Sequence, residues 1–305
     1  MVTLSDIKQF FRGYIAINEP MLKYTSMRVG GPADYYVEPA DRQDLLEIVT
    51  YFQKNSYPYM MLGRGSNMIV SDEGIHCAAI NLESSLSDVR VEGDLVIAEA
   101  GAHWSKFVDF CIRQGLAGVE MLAGIPGSVG GAVVMNAGAR GGETADHLVK
   151  VEVLRDGHIQ MVKKEEADFS YRHSGFDKDI VLSASFRLSP GDKEELIRFR
   201  REFILKRNTT QPLTLPNSGS MFKNPTGMYA AKLIEQAGLK GKRVGNAQIS
   251  EKHANFIVNL GDAKASDIVT LIDIVRRTVH QNSGVPLELE VKLVGFSNEI
   301  KQKVA

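Results

Sequence analysis

The chain has little of several features that would place it in a specialised class of protein. Its 305 residues include two cysteines, Cys77 and Cys111, which form neither a CxxC pair nor a spacing typical of a metal site. The formal net charge of −1 gives no electrostatic reason to expect nucleic acid or an anionic membrane as partner. No apolar run approaches the roughly 18 residues of a membrane-spanning helix, and the first residues lack a basic-then-apolar signal pattern. We therefore expect a cytoplasmic protein with reduced cysteines and no metal.

The features that are present predict an α+β fold. Hydrophobic residues make up 44% of the chain and charged residues 24%, which is ordinary for a globular protein. Apolar spacing predicts helices over 5–18, 41–55, 104–113, 194–207, 229–237 and 267–281. Strand-like runs cover 35–37, 59–62, 95–100, 149–154, 158–162, 180–188, 255–259 and 287–296, with Asp156-Gly157 as a hairpin turn. A domain boundary is expected near residues 189–194, at Ser189-Pro190-Gly191-Asp192.

Two glycine-rich segments are candidates for binding phosphate through backbone amides. Residues 63–67, Gly-Arg-Gly-Ser-Asn, fail the dinucleotide fingerprint because Met68 stands where a third glycine is needed, but they resemble an anion-binding nest. A plain tight turn is the alternative for this segment alone. In the second segment, 118–138, six glycines surround Ser128, which can cap a following helix and aim N–H groups at a pyrophosphate. Close packing of a helix against a strand is the alternative for the small residues of this segment. Together the two segments indicate a bound dinucleotide.

A third segment, 216–225, holds one serine in a fixed turn. Gly219 permits unusual backbone angles, and the prolines at both ends prevent a helix or central strand. Ser220 therefore lies close to Lys223 and Asn224. A decorated surface loop is the alternative interpretation.

The order of these motifs resembles that of the UDP-N-acetylenolpyruvoylglucosamine reductase family, also called MurB. The matching segments are 25–33, 62–67, 124–131, 170–172, 219–225 and 287–291, and the likeness covers nearly the whole chain. It implies an N-terminal helical segment over 1–24, a two-part FAD-binding domain of the vanillyl-alcohol oxidase (PCMH-like) type over 25–193, and an α+β substrate-binding domain over 194–305. The last strand would return a catalytic glutamate to the site. The short 189–230 region implies the family type without a long tyrosine-bearing loop.

The resemblance also implies FAD as cofactor and NADPH as co-substrate. The residues that it assigns to FAD are Gly63, Arg64, Gly65, Ser66, Asn67, Gly124, Pro126, Gly127, Ser128, Gly131 and Gly138. The implied reaction reduces UDP-N-acetylglucosamine enolpyruvate to UDP-N-acetylmuramate in peptidoglycan precursor synthesis. A role in cell-wall biogenesis, cell shape and cell division would follow. We expect the enzyme to be a monomer.

Three catalytic residues are implied in the same way. Arg172 and Glu290 would flank the substrate carboxylate, and Ser220 would protonate the adjacent carbon. Tyr171, Lys223 and Asn224 would contact substrate, although a packed core tyrosine and a solvated surface lysine are the alternatives for the first two. Glu288 competes with Glu290, because residues two apart in a strand face the same way.

Two other functions remain open at this point. One is a flavin-dependent oxidase with the same FAD-binding fold, and the other is a nucleotide-sugar binding protein without redox activity. A covalently attached flavin is not expected, since Cys77 and Cys111 lie in no attachment motif.

Overall fold

A computed structural model describes the chain from residue 2 to residue 304. Its α-helices are α1 (Leu4–Ile7), α2 (Arg42–Lys54), α3 (Trp104–Arg113), α4 (Val129–Val134), α5 (Lys193–Thr210), α6 (Ala230–Gln236), α7 (Ala265–Ser283) and α8 (Asn298–Val304). Its strands are β1 (Tyr14–Pro20), β2 (Pro32–Glu38), β3 (Tyr59–Leu62), β4 (Met68–Val70), β5 (Ile75–Asn81), β6 (Val89–Glu92), β7 (Leu95–Glu99), β8 (Leu116–Ala117), β9 (Gly138–Ala139), β10 (Gly142–Glu143), β11 (Leu148–Arg155), β12 (His158–Lys163), β13 (Ile180–Arg187), β14 (Ser189–Pro190), β15 (Arg243–Val244), β16 (Ala247–Ile249), β17 (Ile257–Asn259) and β18 (Lys292–Val294). The predicted α+β class is confirmed.

The chain forms two compact units that alternate along the sequence. Unit 1 comprises the residues up to 17 together with 35–64 and 77–207, and unit 2 comprises 18–34, 65–76 and the residues from 208 on. The expected domains over 1–24, 25–193 and 194–305 are contiguous, and they stay a prediction. Unit 2 draws in early residues because β4 pairs in parallel with β18 near the C-terminus, with Ile69 opposite Leu293.

Unit 1 is built on an antiparallel sheet with strand order β12-β11-β13-β7-β6. The predicted Asp156-Gly157 hairpin is confirmed, because Arg155 pairs with His158 across the turn. Both turn residues have positive φ, 50° and 79°, as a two-residue hairpin turn requires. The buried rings of Trp104, Phe107 and Phe186 pack on this sheet, with centroids of the two phenylalanines 4.7 Å apart.

The first helix predicted from apolar spacing is largely wrong. The structure has only α1 at the start of 5–18, and the chain then turns into β1. The reason lies in Asp44 of α2, whose carboxylate accepts the N–H groups of Arg12 at 3.0 Å and Gly13 at 2.9 Å. A Cβ at residue 13 would lie 2.1 Å from the Glu38 carbonyl oxygen, so glycine is needed immediately before β1. The other predicted helices are present, and α2 buries the predicted Leu45, Ile48, Val49 and Phe52.

Unit 2 packs its helices against a small antiparallel sheet of order β15-β16-β17. The predicted apolar face of α7 is confirmed, with Ile268, Leu271, Ile272, Val275 and Val279 all buried. Asp72 stabilises the beginning of this helix by accepting the N–H groups of Ala265 at 2.7 Å and Ser266 at 3.0 Å. The predicted strand 287–296 is shorter than expected and is regular only over β18.

The part of the chain that the structure describes has neither a membrane-spanning helix nor a cluster of metal ligands. No helix among residues 2–304 is both long and apolar enough to cross a membrane. Over the same residues, no group of three histidine, cysteine or acidic side chains is arranged to hold a metal ion. Neither Cys77 nor Cys111 forms a disulfide, and burial raises the pKa of Cys111 to about 12.

Candidate active site

Two of the glycine-rich segments meet within unit 1. A Cβ at Gly63 would lie 2.8 Å from the Ser128 hydroxyl oxygen, so the two loops are in direct contact there. The predicted cap is confirmed, since the Ser128 side chain accepts the N–H of Gly131 at 3.2 Å where α4 begins. Gly124 and Gly127 have φ of 87° and 128°, which side-chain-bearing residues rarely adopt. The structure thus brings together Gly63, Gly124, Gly127, Ser128 and Gly131, and Pro126 is exposed between them.

Charged side chains lie beside this pair of loops. The Arg64 guanidinium contacts the Glu83 carboxylate at 2.5 Å, and the His103 ring lies 2.6 Å from the same nitrogen. His103 also forms an isolated backbone bridge with Ser128. On the other side, a Cβ at Gly124 would lie 3.3 Å from the Arg207 guanidinium, whose pKa is lowered by burial. Two arginines therefore lie next to the loops predicted to hold an anionic cofactor, and Arg64 of the two is paired with Glu83.

The remaining residues of the 63–67 segment belong to unit 2 and have neighbours within the chain. A Cβ at Gly65 would lie 2.2 Å from the Tyr24 carbonyl oxygen, and the Gly65 carbonyl accepts the N–H of Ser26. The Asn67 side chain donates to the Glu290 carbonyl at 3.0 Å. Ser66 is half-buried between them. The cofactor roles of Gly65, Ser66 and Asn67 stay a prediction, and packing alone already explains the glycine.

Tyr171 and Arg172 lie at the tip of a tight turn in unit 1. Ser170 and His173 exchange two backbone hydrogen bonds of 3.1 Å across it. The Arg172 guanidinium lies 4.7 Å from the Tyr171 ring centroid and donates to the Gly138 carbonyl at 2.9 Å. The alternative of a packed core tyrosine is wrong, since Tyr171 is 44% exposed. Arg172, Tyr171 and Gly138 therefore form one cluster.

The serine-bearing segment lies in unit 2 and is fixed from several sides. Gly219 has φ of 74°, and its N–H donates to the Asn217 side chain at 3.1 Å. The Ser218 hydroxyl donates to the Met68 carbonyl at 3.2 Å. The prediction of a serine held in a defined turn is consistent with these contacts.

Glu290 lies beside the same segment. The Glu290 N–H donates to the Met221 carbonyl at 2.9 Å, and Phe222 forms an isolated antiparallel bridge with Leu289. Ser220 is consequently one residue from the position that faces Glu290. Two neighbours of Ser220 have partners of their own: the Lys223 ammonium pairs with Glu288 at 2.5 Å, and the Asn224 side chain accepts the N–H of Ala230 at the start of α6.

Further side chains support this geometry. The Asn255 amide bonds both backbone groups of Phe222. Glu143 faces Arg172, and Asn136 bonds Glu143. Asn136 lies within the glycine-rich segment 118–138 and Glu143 follows two glycines, signals that predict turns but not these contacts.

The comparisons with known proteins agree across the chain. Residues 33–162 match the FAD binding domain, and residues 211–294 match the C-terminal domain of UDP-N-acetylenolpyruvoylglucosamine reductase. The reductase of Chloroherpeton thalassium is 42% identical over 311 residues, which cover 99% of this chain and 100% of the relative. That of Streptococcus uberis is 44% identical over 292 residues, covering 95% of this chain and 96% of the relative.

A solved structure agrees with these relatives. The structure of UDP-N-acetylenolpyruvylglucosamine reductase (MurB) from Thermus caldophilus is 39% identical, covers 93% of this chain and 100% of its own, and has a TM-score of 0.81. The same enzyme name thus recurs in two relatives that align over nearly their whole length and in the matching structure. This chain belongs to the UDP-N-acetylenolpyruvoylglucosamine reductase family.

Proposed function

We propose that Arg172, Ser220 and Glu290 are the catalytic residues of the reductase that this chain constitutes. The activity is that of the family: an oxidoreductase that reduces the enolpyruvyl ether of UDP-N-acetylglucosamine with NADPH, using FAD. The observation that carries the assignment of residues is the placement of Ser220 beside Glu290 in one fixed segment of unit 2. Arg172 has an equally fixed place in unit 1.

The residues present fit FAD. The contact between Gly63 and Ser128, and the positive φ of Gly124 and Gly127, give backbone that approaches closely with few side chains in the way. These loops would hold the pyrophosphate, with Arg64 as a nearby cation. When bound, FAD supplies hydride transfer, the redox step that amino-acid side chains cannot perform.

Arg172 is suited to bind the substrate carboxylate. Reduction of the double bond places negative charge on that carboxylate, and a guanidinium is always charged and can bind two oxygens at once. Its side chain is only 16% exposed, so water competes weakly for its donors. A preorganised donor of this kind stabilises charge that develops in the transition state.

Ser220 is suited to protonate the substrate carbon. A serine is a weak acid, but a basic enolate carbon needs only a donor held at the right place. The bond from Gly219 to Asn217 and the positive φ of Gly219 hold the hydroxyl-bearing turn in one conformation.

Glu290 is favoured over Glu288 as the third residue. Glu288 is 71% exposed and already paired with Lys223, which makes it a poor candidate for a group that must lie beside reacting atoms. Glu290 is half-buried next to the serine segment, and Asn67 anchors its carbonyl. It assists only as a neutral acid or through a donor, because an ionised carboxylate would repel the developing charge.

The finer physiological assignments are part of the same proposal. Family membership supports a role in peptidoglycan precursor synthesis, and from there in cell-wall biogenesis, cell shape and cell division, in the cytoplasm. We propose a monomer that binds the UDP-sugar through Tyr171, Lys223 and Asn224 as well as the catalytic residues. Lys223 is paired with Glu288, so it would have to leave that partner to bind the substrate. The Asn224 side-chain oxygen already accepts the N–H of Ala230.

Stopped-flow measurement of the two half-reactions tests the catalytic roles. Arg172→Ala and Ser220→Ala should leave reduction of bound FAD by NADPH near the wild-type rate, because that step involves neither the substrate carboxylate nor a proton on the substrate carbon. Oxidation of the reduced enzyme by the enolpyruvyl substrate should fall by about 10²-fold or more in each variant. Ser220→Cys should retain part of the rate, since a thiol is also a donor of similar size.

The controls separate this proposal from its alternatives. Ser87→Ala, at an exposed serine of unit 1, should leave both half-reactions unchanged. A Ser220→Ala enzyme that reoxidises on substrate at the wild-type rate would remove Ser220 from the mechanism. Consumption of NADPH that depends on oxygen rather than on the UDP-sugar would favour an oxidase, and a colourless protein would favour the binding module.

A further inference from the structure

Arg172 is held in a backbone conformation that few arginines adopt. Tyr171 and Arg172 fill the two central positions of the turn closed by Ser170 and His173. The φ of Arg172 is 57°, in the left-handed region, which is uncommon for residues other than glycine. Such strain persists only where neighbouring contacts determine the conformation. The neighbours of this turn therefore decide the direction of the guanidinium.

The nearest neighbour is the small hairpin of β9 and β10. In this hairpin Gly138 pairs with Glu143, and the Gly138 carbonyl accepts a hydrogen bond from Arg172 Nη2 at 2.9 Å. A Cβ at residue 138 would lie 3.0 Å from both Arg172 Nη1 and Glu143 Cγ, so the arginine lies directly on the glycine. Glu143 Oε1 is 3.8 Å from Arg172 Nη1, close enough to attract the guanidinium but longer than a hydrogen bond.

Asn136 connects this hairpin to the arginine turn. Its Nδ2 donates to Glu143 Oε2 at 2.7 Å and to the Ser170 carbonyl at 2.9 Å, and its Oδ1 accepts the N–H of Ala145 at 3.0 Å. Asn136 is buried and itself has a φ of 41°. One amide thus fixes the carboxylate that faces Arg172 and the base of the turn that carries Arg172. Buried polar groups with every partner satisfied keep a site rigid.

We infer that Asn136 and Glu143 are positioning residues of the reductase reaction, which set the direction of the Arg172 guanidinium toward the substrate carboxylate. The inference rests on the proposed role of Arg172. Glu143 attracts the guanidinium, and the hydrogen bond from Asn136 holds the Glu143 carboxylate in place. Neither residue needs to touch substrate for this purpose.

The test compares Glu143→Gln with Glu165→Gln in the FAD-loaded enzyme. Glutamine keeps an oxygen that can accept from Asn136 and removes only the charge, whereas Glu165 is exposed on a short turn of the same unit. In Glu143→Gln, oxidation of the reduced enzyme by the UDP-sugar should slow by about 10-fold. This is less than the roughly 10²-fold loss of rate that a displacement of about 1 Å can cause. Reduction of FAD by NADPH should stay within about twofold of wild type, as should the Kd of UDP-N-acetylglucosamine, which lacks the carboxylate, measured by calorimetry. Glu165→Gln should match wild type in all three measurements.

A double-variant cycle links the effect to Arg172. In an Arg172→Ala background, Glu143→Gln should cause no further loss, since there is no guanidinium left to direct. Asn136→Asp, which keeps the acceptor for Ala145 and removes both donated hydrogen bonds, should slow the same half-reaction and be non-additive with Glu143→Gln. It serves as the second variant if Glu143→Gln does not fold.

The outcomes are distinct. A wild-type oxidation rate in Glu143→Gln, an equal loss in both half-reactions, or a further loss in the Arg172→Ala background would overturn the positioning role. If Arg172→Ala itself oxidises normally, the proposed catalytic role of Arg172 fails instead.

Discussion

Asn255 forms a clamp on the segment that carries Ser220. Its Nδ2 donates to the Phe222 carbonyl at 2.8 Å, and its Oδ1 accepts the Phe222 N–H at 3.0 Å. Its own backbone carbonyl accepts the N–H of Met221 at 2.8 Å. The side chain therefore pairs with Phe222 as a neighbouring strand would. Because Ser220 is two residues away, we expect this clamp to hold the proton donor in place.

The cost of removing the clamp follows from burial. Asn255 is 3% exposed and Phe222 is 1% exposed, so water cannot readily replace the lost amide. Asn255→Ala leaves one buried N–H and one buried carbonyl without this partner, and each unsatisfied group costs about 1–3 kcal/mol. We expect a local destabilisation of about 2–6 kcal/mol around residues 221 and 222. Asn282→Ala is the matched control, because Asn282 is exposed on α7 in the same unit.

Hydrogen exchange is the suitable assay, because a chain of two compact units does not have one well-defined free energy of unfolding. Protection of the Phe222 amide should fall by about 10²-fold in Asn255→Ala, since every 1.4 kcal/mol is tenfold. Oxidation of the reduced enzyme by substrate should slow in parallel, while reduction by NADPH changes less. Unchanged protection of the Phe222 amide, or a loss spread evenly over both units, would refute the clamp.

Two further predictions concern cofactor binding and pH. Gly127→Val should reduce FAD uptake by the apoprotein, because a φ of 128° disfavours a side chain and the added atoms fill the loop. Uptake is measured by flavin fluorescence, and uptake equal to wild type would remove this loop from the FAD site. Burial lowers the pKa of His253, so below about 6.5 the unfolded chain binds more protons than the folded one, and stability should fall as the pH is lowered through that value. His253→Gln should flatten this dependence in thermal unfolding between about pH 7.5 and 5, whereas the exposed-site control His158→Gln should keep it; equal slopes in both variants would contradict the assignment.

Local signals predicted the elements whose own residues determine them. The Asp156-Gly157 turn needed only its two residues, and α2 and α7 needed only their apolar faces. The helix expected over 5–18 failed because Asp44, more than thirty positions later, captures the backbone at Arg12 and Gly13. Apolar spacing does not report such a distant acceptor.

The same distinction separates the parts of the site. Glycine-rich loops are visible in a sequence because glycine itself is the signal, and the contact of Gly63 with Ser128 agrees with that reading. Asn136 and Glu143 are ordinary residues whose importance arises from partners across the fold: Asn136 reaches Ser170, 34 positions away. A side chain that acts by orienting another leaves no local pattern of its own.

Glycine in a motif can also have more than one cause, and Gly65 illustrates this. Its φ of 56° and its approach to the Tyr24 carbonyl both require glycine for reasons within unit 2. Asn67, two residues later, bonds the Glu290 carbonyl rather than leaving its amide solely for a cofactor. The 63–67 segment therefore makes two sets of contacts along five residues. Gly63 and Arg64 lie with the loop around Ser128, whereas Gly65 packs on the Tyr24 carbonyl and Asn67 bonds the segment that carries Glu290. A substitution in this segment should consequently affect cofactor binding at its first two positions and the substrate half-reaction at its last.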